Sequence, residues 1–377
     1  MKVRGHGKDG PVSTPVRVLV AGESRAMRSA LRRMLGAGRR LDVVGLASDA
    51  DEVLRSVIRL RPDVIVVDVG MDPSDALATI DRVMAEHPTA MVVMSAATPE
   101  GGESAIRALE LGAVDVLAKP SWSVDPGLSA LADEMVRKIL TASRVRPARI
   151  AAARPGERPP AASHPSLPAF GVPANDRGWT PCVVIAASTG GPAALLSLIP
   201  ELPKELPASV LVVQHMPAPY TYTFAHMLND RAAIEVREAA EGDRLARGQA
   251  FVCPGSRHLT VDARGTVWLR PAQSSSQDSP SADLAMTSVA EQAAGLAIGV
   301  VLTGMGRDAA LGAAAIRNSG GIVIAQDEAS SAVYGMPRAA ADMGCVDAMV
   351  PLSGLPETVL ACVGDLLSHH LRMGHAS

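Results

Sequence analysis

The sequence predicts an α/β protein made of two doubly wound, parallel-sheet domains joined by a linker. Three observations lead there. Short apolar runs alternate with segments of helical periodicity from Val16 to about Ser143, and again from Trp179 to about Met373. Between these regions, Arg144–Gly178 is rich in Pro, Ala and Arg and nearly devoid of aliphatic periodicity. Its centre, Arg154-Pro-Gly-Glu-Arg-Pro-Pro160, has the composition of an extended linker. Finally, hydrophobic residues make up 47% of the chain and aromatics only 2%, so Val, Leu, Ile, Ala and Met must fill the cores. Such a core suits strands buried on both faces. A length of 377 residues fits two domains better than one. The expected division is 15–143, a linker at 144–178, and 179–373.

In the first region the expected strands are Val16–Ala21, Val43–Ala47, Val64–Val69, Ala90–Ser95 and Val114–Ala118. Helical spacing separates them, as in Arg25–Leu35, where Met27, Leu31, Met34 and Leu35 recur on one face. In the second region the expected strands are Val183–Ala187, Val210–Gln214, Ala250–Val252, Val267–Leu269, Ile298–Thr303 and Ile322–Ala325. Helices are expected to start at Pro192, at Thr221, near Ser281 and after Asp308; Pro192 suits a first helical turn, where its missing N–H costs nothing. Residues Gln273–Pro280 read as a flexible loop.

Bulk properties exclude several classes. A net charge of −3 argues against a nucleic-acid binder. No apolar stretch reaches the ~18 residues of a membrane span without a break, and the polar N-terminus has no signal-like apolar core. A cytoplasmic protein is expected. Cys182, Cys253, Cys345 and Cys362 are widely spaced with no C-x-x-C, so they read as small buried hydrophobes, not as metal ligands or disulfides.

Strand ends carry the chemistry. In the first domain Glu23 follows strand one, Asp68 ends strand three, Ser95 ends strand four, and Lys119, before Pro120, ends strand five. The carboxyl ends of strands in such a sheet share one crevice. Carboxylates at Glu23 and Asp68 can hold Mg²⁺ while Asp68 accepts a phosphoryl group gripped by Ser95 and Lys119.

In the second domain Ser188 follows Cys182-Val-Val-Ile-Ala-Ala187 and opens Ser188-Thr-Gly-Gly-Pro192. His215 follows Leu211-Val-Val-Gln214, and Asp308 follows the run ending near Thr303. Each residue type alone has an ordinary explanation as a helix cap, a backbone-bonded histidine or a helix-start acid. Together they supply a nucleophile, a general base and the group that orients the base. An imidazole suits the middle role because it takes up and returns a proton near neutrality. A competing match is Gly304-Met-Gly306-Arg-Asp-Ala309, which fits the dinucleotide fingerprint G-x-G-x-x-A, with Asp327 about twenty residues on. It leaves Ser188 and His215 unexplained and puts a carboxylate beside the phosphates.

These residues carry a resemblance. The first domain resembles the receiver domain of two-component response regulators, which implies flavodoxin-type strand order, Asp68 as phosphoacceptor, Ser95 as switch hydroxyl and Lys119 as phosphate clamp. It departs at Gly22-Glu23, where receivers usually place two acids, and at Gly70-Met71-Asp72. Ala186-Ala-Ser-Thr-Gly-Gly-Pro192, Val213-Gln-His-Met-Pro217, Leu302-Thr-Gly-Met-Gly-Arg-Asp308 and Gln326-Asp-Glu-Ala-Ser-Ser-Ala-Val-Tyr-Gly-Met-Pro337 resemble the catalytic domain of the chemotaxis protein-glutamate methylesterases. The resemblance spans nearly the whole chain and implies a larger, Rossmann-like second sheet. It also implies Ser188, His215 and Asp308 as a triad, with Thr189 and Met305 as active-site neighbours, the latter through its backbone N–H.

The implied reaction is hydrolysis of glutamyl methyl esters, with glutamine deamidation as an added activity, on the cytoplasmic helices of methyl-accepting chemotaxis receptors. The implied phosphodonor is the chemotaxis histidine kinase. No catalytic cofactor is expected, and Mg²⁺ only for receiver phosphorylation. The alternatives are a signalling adapter with a decayed, phosphorylation-independent receiver and a dinucleotide-binding protein using Gly304 and Gly306. Pro254-Gly255, His258 and Pro280-Ser-Ala-Asp283 resemble further family stretches but read first as turns and an N-capped helix, and none is assigned a catalytic role.

Overall fold

The computed structural model describes residues 14–69, 73–119, 128–145, 179–272 and 279–374. Pro120, Gly70-Met71-Asp72, residues 146–178 of the linker and residues 273–278 of the polar loop lie outside them.

The first sheet is formed by β1 (Val16–Ala21), β2 (Leu41–Ala47), β3 (Val64–Asp68), β4 (Ala90–Ser95) and β5 (Asp115–Ala118) in the order β2-β1-β3-β4-β5. All four pairings are parallel. Helices α1 (Arg25–Leu35), α2 (Ala50–Leu60), α3 (Pro73–Glu86), α4 (Pro99–Glu110) and α5 (Leu128–Ala142) alternate with the strands. The starts of α1, α2 and α4 are capped by the side chains of Ser24, Asp49 and Thr98, each accepting from a backbone N–H three residues on. Every residue of β3 and β4 is buried, which is why these strands read as unbroken apolar runs.

The second sheet has seven strands: β6 (Cys182–Ala187), β7 (Ser209–Gln214), β8 (Glu235–Glu238), β9 (Gln249–Val252), β12 (Ala297–Val301), β13 (Ile322–Gln326) and β14 (Ala348–Val350). The order is β14-β13-β12-β6-β7-β9-β8, again parallel throughout. Its helices are α6 (Gly191–Leu198), α7 (Ala218–Asn229), α8 (Ala282–Gln292), α9 (Ala310–Asn318), α10 (Met336–Asp342) and α11 (Leu355–Gly374). From β6 the chain forms β7, then β8 at the edge and β9 between them, and later returns on the other side of β6 with β12, β13 and β14. The crevice between β6 and β12 is therefore the switch point, where α/β sheets bind their ligands.

Three expectations need correction. Val267–Leu269 belongs to β11 (Val267–Pro271), which pairs antiparallel with β10 (Arg257–Val261) in a separate hairpin. Its alternating exposure, with Trp268 half exposed, marks a two-stranded ribbon and not a central strand. Helix α7 starts at Ala218, not Thr221, because Pro217 and Pro219 fit the N-terminal turn of a helix. Strand β2 begins at Leu41, two residues before the apolar run.

Candidate active site

Ser188, His215 and Asp308 follow β6, β7 and β12, three neighbouring strands at the centre of the sheet. The ladder between β6 and β7 ends with the His215 N–H donating to the Ala187 carbonyl at 3.0 Å, which sets the serine and histidine side by side. Beyond it, a tight turn closes as the Gly191 N–H donates to the Ser188 carbonyl at 2.8 Å. Gly190 holds φ at +78°, a left-handed conformation that favours glycine. Gly304 is needed for room: a Cβ there would lie 2.8 Å from the Ser188 Cβ and 2.3 Å from the Met336 sulfur.

His215 Nε2 lies 2.8 Å from Asp308 Oδ2, and both side chains are largely buried. Asp308 sits on the N-terminus of α8. Its Oδ2 accepts from the Ala282 N–H at 2.6 Å, and its Oδ1 from the Asp283 N–H at 2.9 Å and the Ser281 hydroxyl at 3.2 Å. Burial pushes this carboxyl upward. The hydrogen bond and charge of His215, with the backbone N–H groups of Ala282 and Asp283, outweigh it and hold Asp308 below the usual carboxylate range. An ionised carboxylate only accepts, so the neutral ring carries its proton on Nε2 and keeps a lone pair on Nδ1. Asp283 has the opposite balance: burial and the Asp308 charge push it up, despite the Gly312 N–H. Among the described residues no hydrogen bond yet joins Ser188 to His215, in keeping with sites whose catalytic bonds tighten only around substrate.

Thr189 and Met305 flank the serine. Among the described residues, neither of their backbone N–H groups has an acceptor. The Thr189 side chain faces the first domain, its hydroxyl donating to Asp115 Oδ2 at 2.8 Å, and Met305 meets Thr141 of α5. Asp115 is itself held by Lys138 Nζ at 2.7 Å. The Gly190 N–H donates to the Val114 carbonyl at 3.2 Å, and the buried Tyr220 hydroxyl donates to the Ser95 carbonyl at 2.9 Å. Arg231 pairs with Glu110 at the far end of the contact between α4 and α7. The first domain thus lies directly on the serine turn. Asp115, Gln214 and Tyr220 escaped the sequence reading. Asp115 and Gln214 did leave a signal, a polar residue inside an otherwise apolar strand.

The dinucleotide alternative fails on packing. The Gly304 carbonyl accepts from the Gly335 and Met336 N–H groups, and Ser188 and Met336 occupy the space beside Gly304, where the fingerprint needs a backbone open to a phosphate.

In the first domain, Lys119 Nζ lies 2.5 Å from Asp68 Oδ1. Ser95 is buried, and its hydroxyl donates to the Gly101 carbonyl at 2.6 Å instead of facing Asp68. Glu23 is exposed, and Arg28 binds the Gly22 and Glu23 carbonyls. A Cβ at Gly22 would lie 2.9 Å from that of Asp68. Among the described residues no three His, Cys, Asp or Glu side chains cluster as metal ligands. With Asp68 paired to Lys119 and no carboxylate at Gly22, the expected Mg²⁺ donors come down to Asp68 and the exposed Glu23.

Comparison with known proteins agrees with this layout. The family model described as CheB methylesterase matches residues 183–359, and that of the response regulator receiver domain matches 18–125. A protein-glutamate methylesterase/protein-glutamine glutaminase of Symbiobacterium thermophilum is 40% identical over 361 residues, covering 94% of this chain and 99% of its own. One from Pyrococcus abyssi is 39% identical, covering 92% of this chain and 94% of its own. The solved CheB methylesterase catalytic domain of Thermotoga maritima is 36% identical, with a TM-score of 0.46, over 48% of this chain and 98% of its own. With both domains matched and relatives aligned over nearly its full length, the chain belongs to the family of receiver-bearing protein-glutamate methylesterase/protein-glutamine glutaminases.

Proposed function

We propose that this chain hydrolyses glutamyl methyl esters, and deamidates glutamines, on the cytoplasmic helices of chemotaxis receptors, with Ser188, His215 and Asp308 as its triad. The observation that carries this reading is the His215–Asp308 bond beside Ser188 at the ends of three neighbouring strands. Ser188 Oγ attacks the ester carbonyl while His215 Nδ1 takes its proton. The negative oxygen is received by the N–H groups of Thr189 and Met305. His215 then returns the proton to the departing methoxide, methanol leaves, and water splits the acyl-serine by the same proton relay. Deamidation follows the same route with ammonia as leaving group, which demands fuller protonation by His215. No helix among the described residues is long and apolar enough to cross a membrane, which fits the proposed cytoplasmic site of action.

Residues 15–143 are proposed as the regulatory unit, 144–178 as its tether and 179–373 as the catalytic unit. The regulatory face formed by α4, β5 and α5 covers the serine turn, so substrate entry requires its release. Tyr220→Phe removes one bond of this contact and leaves the Ser95 carbonyl satisfied by the Lys119 N–H at 2.7 Å. One hydrogen bond contributes about 0.5–1.5 kcal/mol, so ester turnover by the full chain should rise roughly 2- to 10-fold. Turnover equal to that of the unaltered chain, and equal to that of a fragment starting at Trp179, would exclude control by covering.

Asp68 is proposed as the residue phosphorylated by the chemotaxis kinase, supported by its pairing with Lys119. Incubation with a small phosphodonor should label the chain, and Asp68→Ala should abolish the label. Absence of label would favour the second reading, a receiver that works as a phosphorylation-independent lid, to which Gly22 points.

A further inference from the structure

We propose that Gln214 is a positioning residue for ester cleavage, one side-chain amide tying together the backbones of the nucleophile and the base. The inference rests on the assignment of Ser188 and His215 to those roles. Gln214 is the last residue of β7 and is buried. Its side chain turns back over the end of the sheet, and Nε2 donates to the Ser188 carbonyl at 3.0 Å and to the His215 carbonyl at 3.0 Å.

Both carbonyls lie just past the point where the ladder stops. The final ladder bond, His215 N–H to Ala187, fixes where the two strands end but not how the next two residues turn. The direction of each carbonyl records the backbone rotation of its own residue, and that rotation aims the Ser188 hydroxyl and the His215 ring. A single NH₂ group has two hydrogens and here serves two acceptors, so it sets one orientation relative to the other.

The opposite end of the same amide strengthens the case. Gln214 Oε1 is buried with no hydrogen-bond partner among the described residues. Rotating the amide by half a turn would only point that oxygen at two carbonyls, so the orientation is fixed by its surroundings. Gly191 is what admits it, since a Cβ there would lie 2.1 Å from Oε1. An aliphatic side chain of similar length would bury the same space without an unsatisfied oxygen. Such a replacement would also take the donor from the His215 carbonyl, while the Ser188 carbonyl would keep the Gly191 N–H, so gains and losses to stability oppose each other and alignment of the two reacting side chains is the role inferred.

The test uses the full chain and a peptide carrying a glutamyl methyl ester. Gln214→Met keeps the length and removes both donors. It is expected to lower kcat roughly 10- to 100-fold, with KM moving less than about threefold, since small misplacements of reacting groups cost about that much. Labelling of Ser188 by a fluorophosphonate should slow in parallel, while the thermal midpoint moves by no more than a few degrees, about the scale of one lost hydrogen bond. Gln214→Glu supplies a distinct signature: its carboxyl can donate to a carbonyl only when protonated. Its turnover relative to wild type at the same pH should therefore rise as pH is lowered from about 8 towards about 6. An unchanged kcat in Gln214→Met overturns the proposal. So does a kcat loss that appears only with a larger fall in midpoint and a flat Gln214→Glu ratio. Ser188→Ala, assayed alongside, separates the two levels. Turnover retained there removes the nucleophile assignment itself, whereas turnover lost there but unaffected by Gln214→Met removes only the positioning role.

Discussion

Ser188→Ala is expected to lower release of methanol from a glutamyl methyl ester by roughly 10³- to 10⁶-fold. The substitution deletes one oxygen from a half-buried side chain whose hydroxyl makes no hydrogen bond among the described residues. The fold should therefore be untouched, and the thermal midpoint should match that of the unaltered chain within a degree or two, roughly the scale set by a few tenths of a kcal/mol. The backbone donors of Thr189 and Met305 stay in place, so a residue of rate enhancement over water should remain. Methanol release measured on chain lacking its first domain removes covering as a confounding factor. If Ser188→Ala keeps more than about a tenth of the rate, no version of this mechanism survives.

The second large effect is expected from Asp308→Asn, a loss of roughly 10³- to 10⁴-fold in kcat. All four groups around the Asp308 carboxylate are donors: His215 Nε2, the Ala282 and Asp283 N–H groups, and the Ser281 hydroxyl. An amide NH₂ must turn towards one pair of them. If it faces His215, the ring proton is driven to Nδ1, the atom that has to receive the serine proton. If it faces Asp283, the tautomer survives, but the negative charge that balances the imidazolium is gone. Both orientations damage the base. Stability provides a separate readout. Because the carboxyl is held below the usual range when folded, its contribution is fully present above that range and lost as pH falls through the lowered value. The acid limb of a midpoint-against-pH curve should be shallower for Asp308→Asn than for the unaltered chain. Parallel curves would contradict the ionised state assigned here.

Much of this was legible in the sequence, for a physical reason. A strand buried on both faces must be written as an unbroken apolar run, so β3, β4, β6 and β7 announced themselves, and with them the residues at their ends. Strand β8 did not. At the sheet edge its Glu-Val-Arg-Glu sequence needs only one buried residue, Val236, and it reads as a polar loop. The β10–β11 hairpin gave the opposite error, because Val267–Leu269 is apolar enough to pass for a core strand. In the site, the positions of Ser188, His215 and Asp308 came from local pattern. Which ring nitrogen meets Asp308 did not, since that depends on how α8 approaches from another part of the chain. The contacts of Thr189 with Asp115 and of Tyr220 with Ser95 join residues 74 and 125 positions apart, and no periodicity encodes such pairs. Ser95 carries a related lesson: its place at the end of β4 was readable, but the direction of its hydroxyl, towards Gly101, was not.

The Gly190 N–H bonded to Val114 makes the nucleophile turn part of the regulatory domain's own hydrogen-bond network. On the proposed function two ligands compete for one set of groups, the face of the first domain and the receptor helix, and their free energies are linked. Whatever factor undocking contributes to receptor affinity, receptor binding contributes the same factor to undocking. On the proposed function, a receptor held close to the enzyme at high local concentration would not only be a substrate. By mass action it would also draw the first domain off the site, and turnover per enzyme is then expected to rise with receptor clustering.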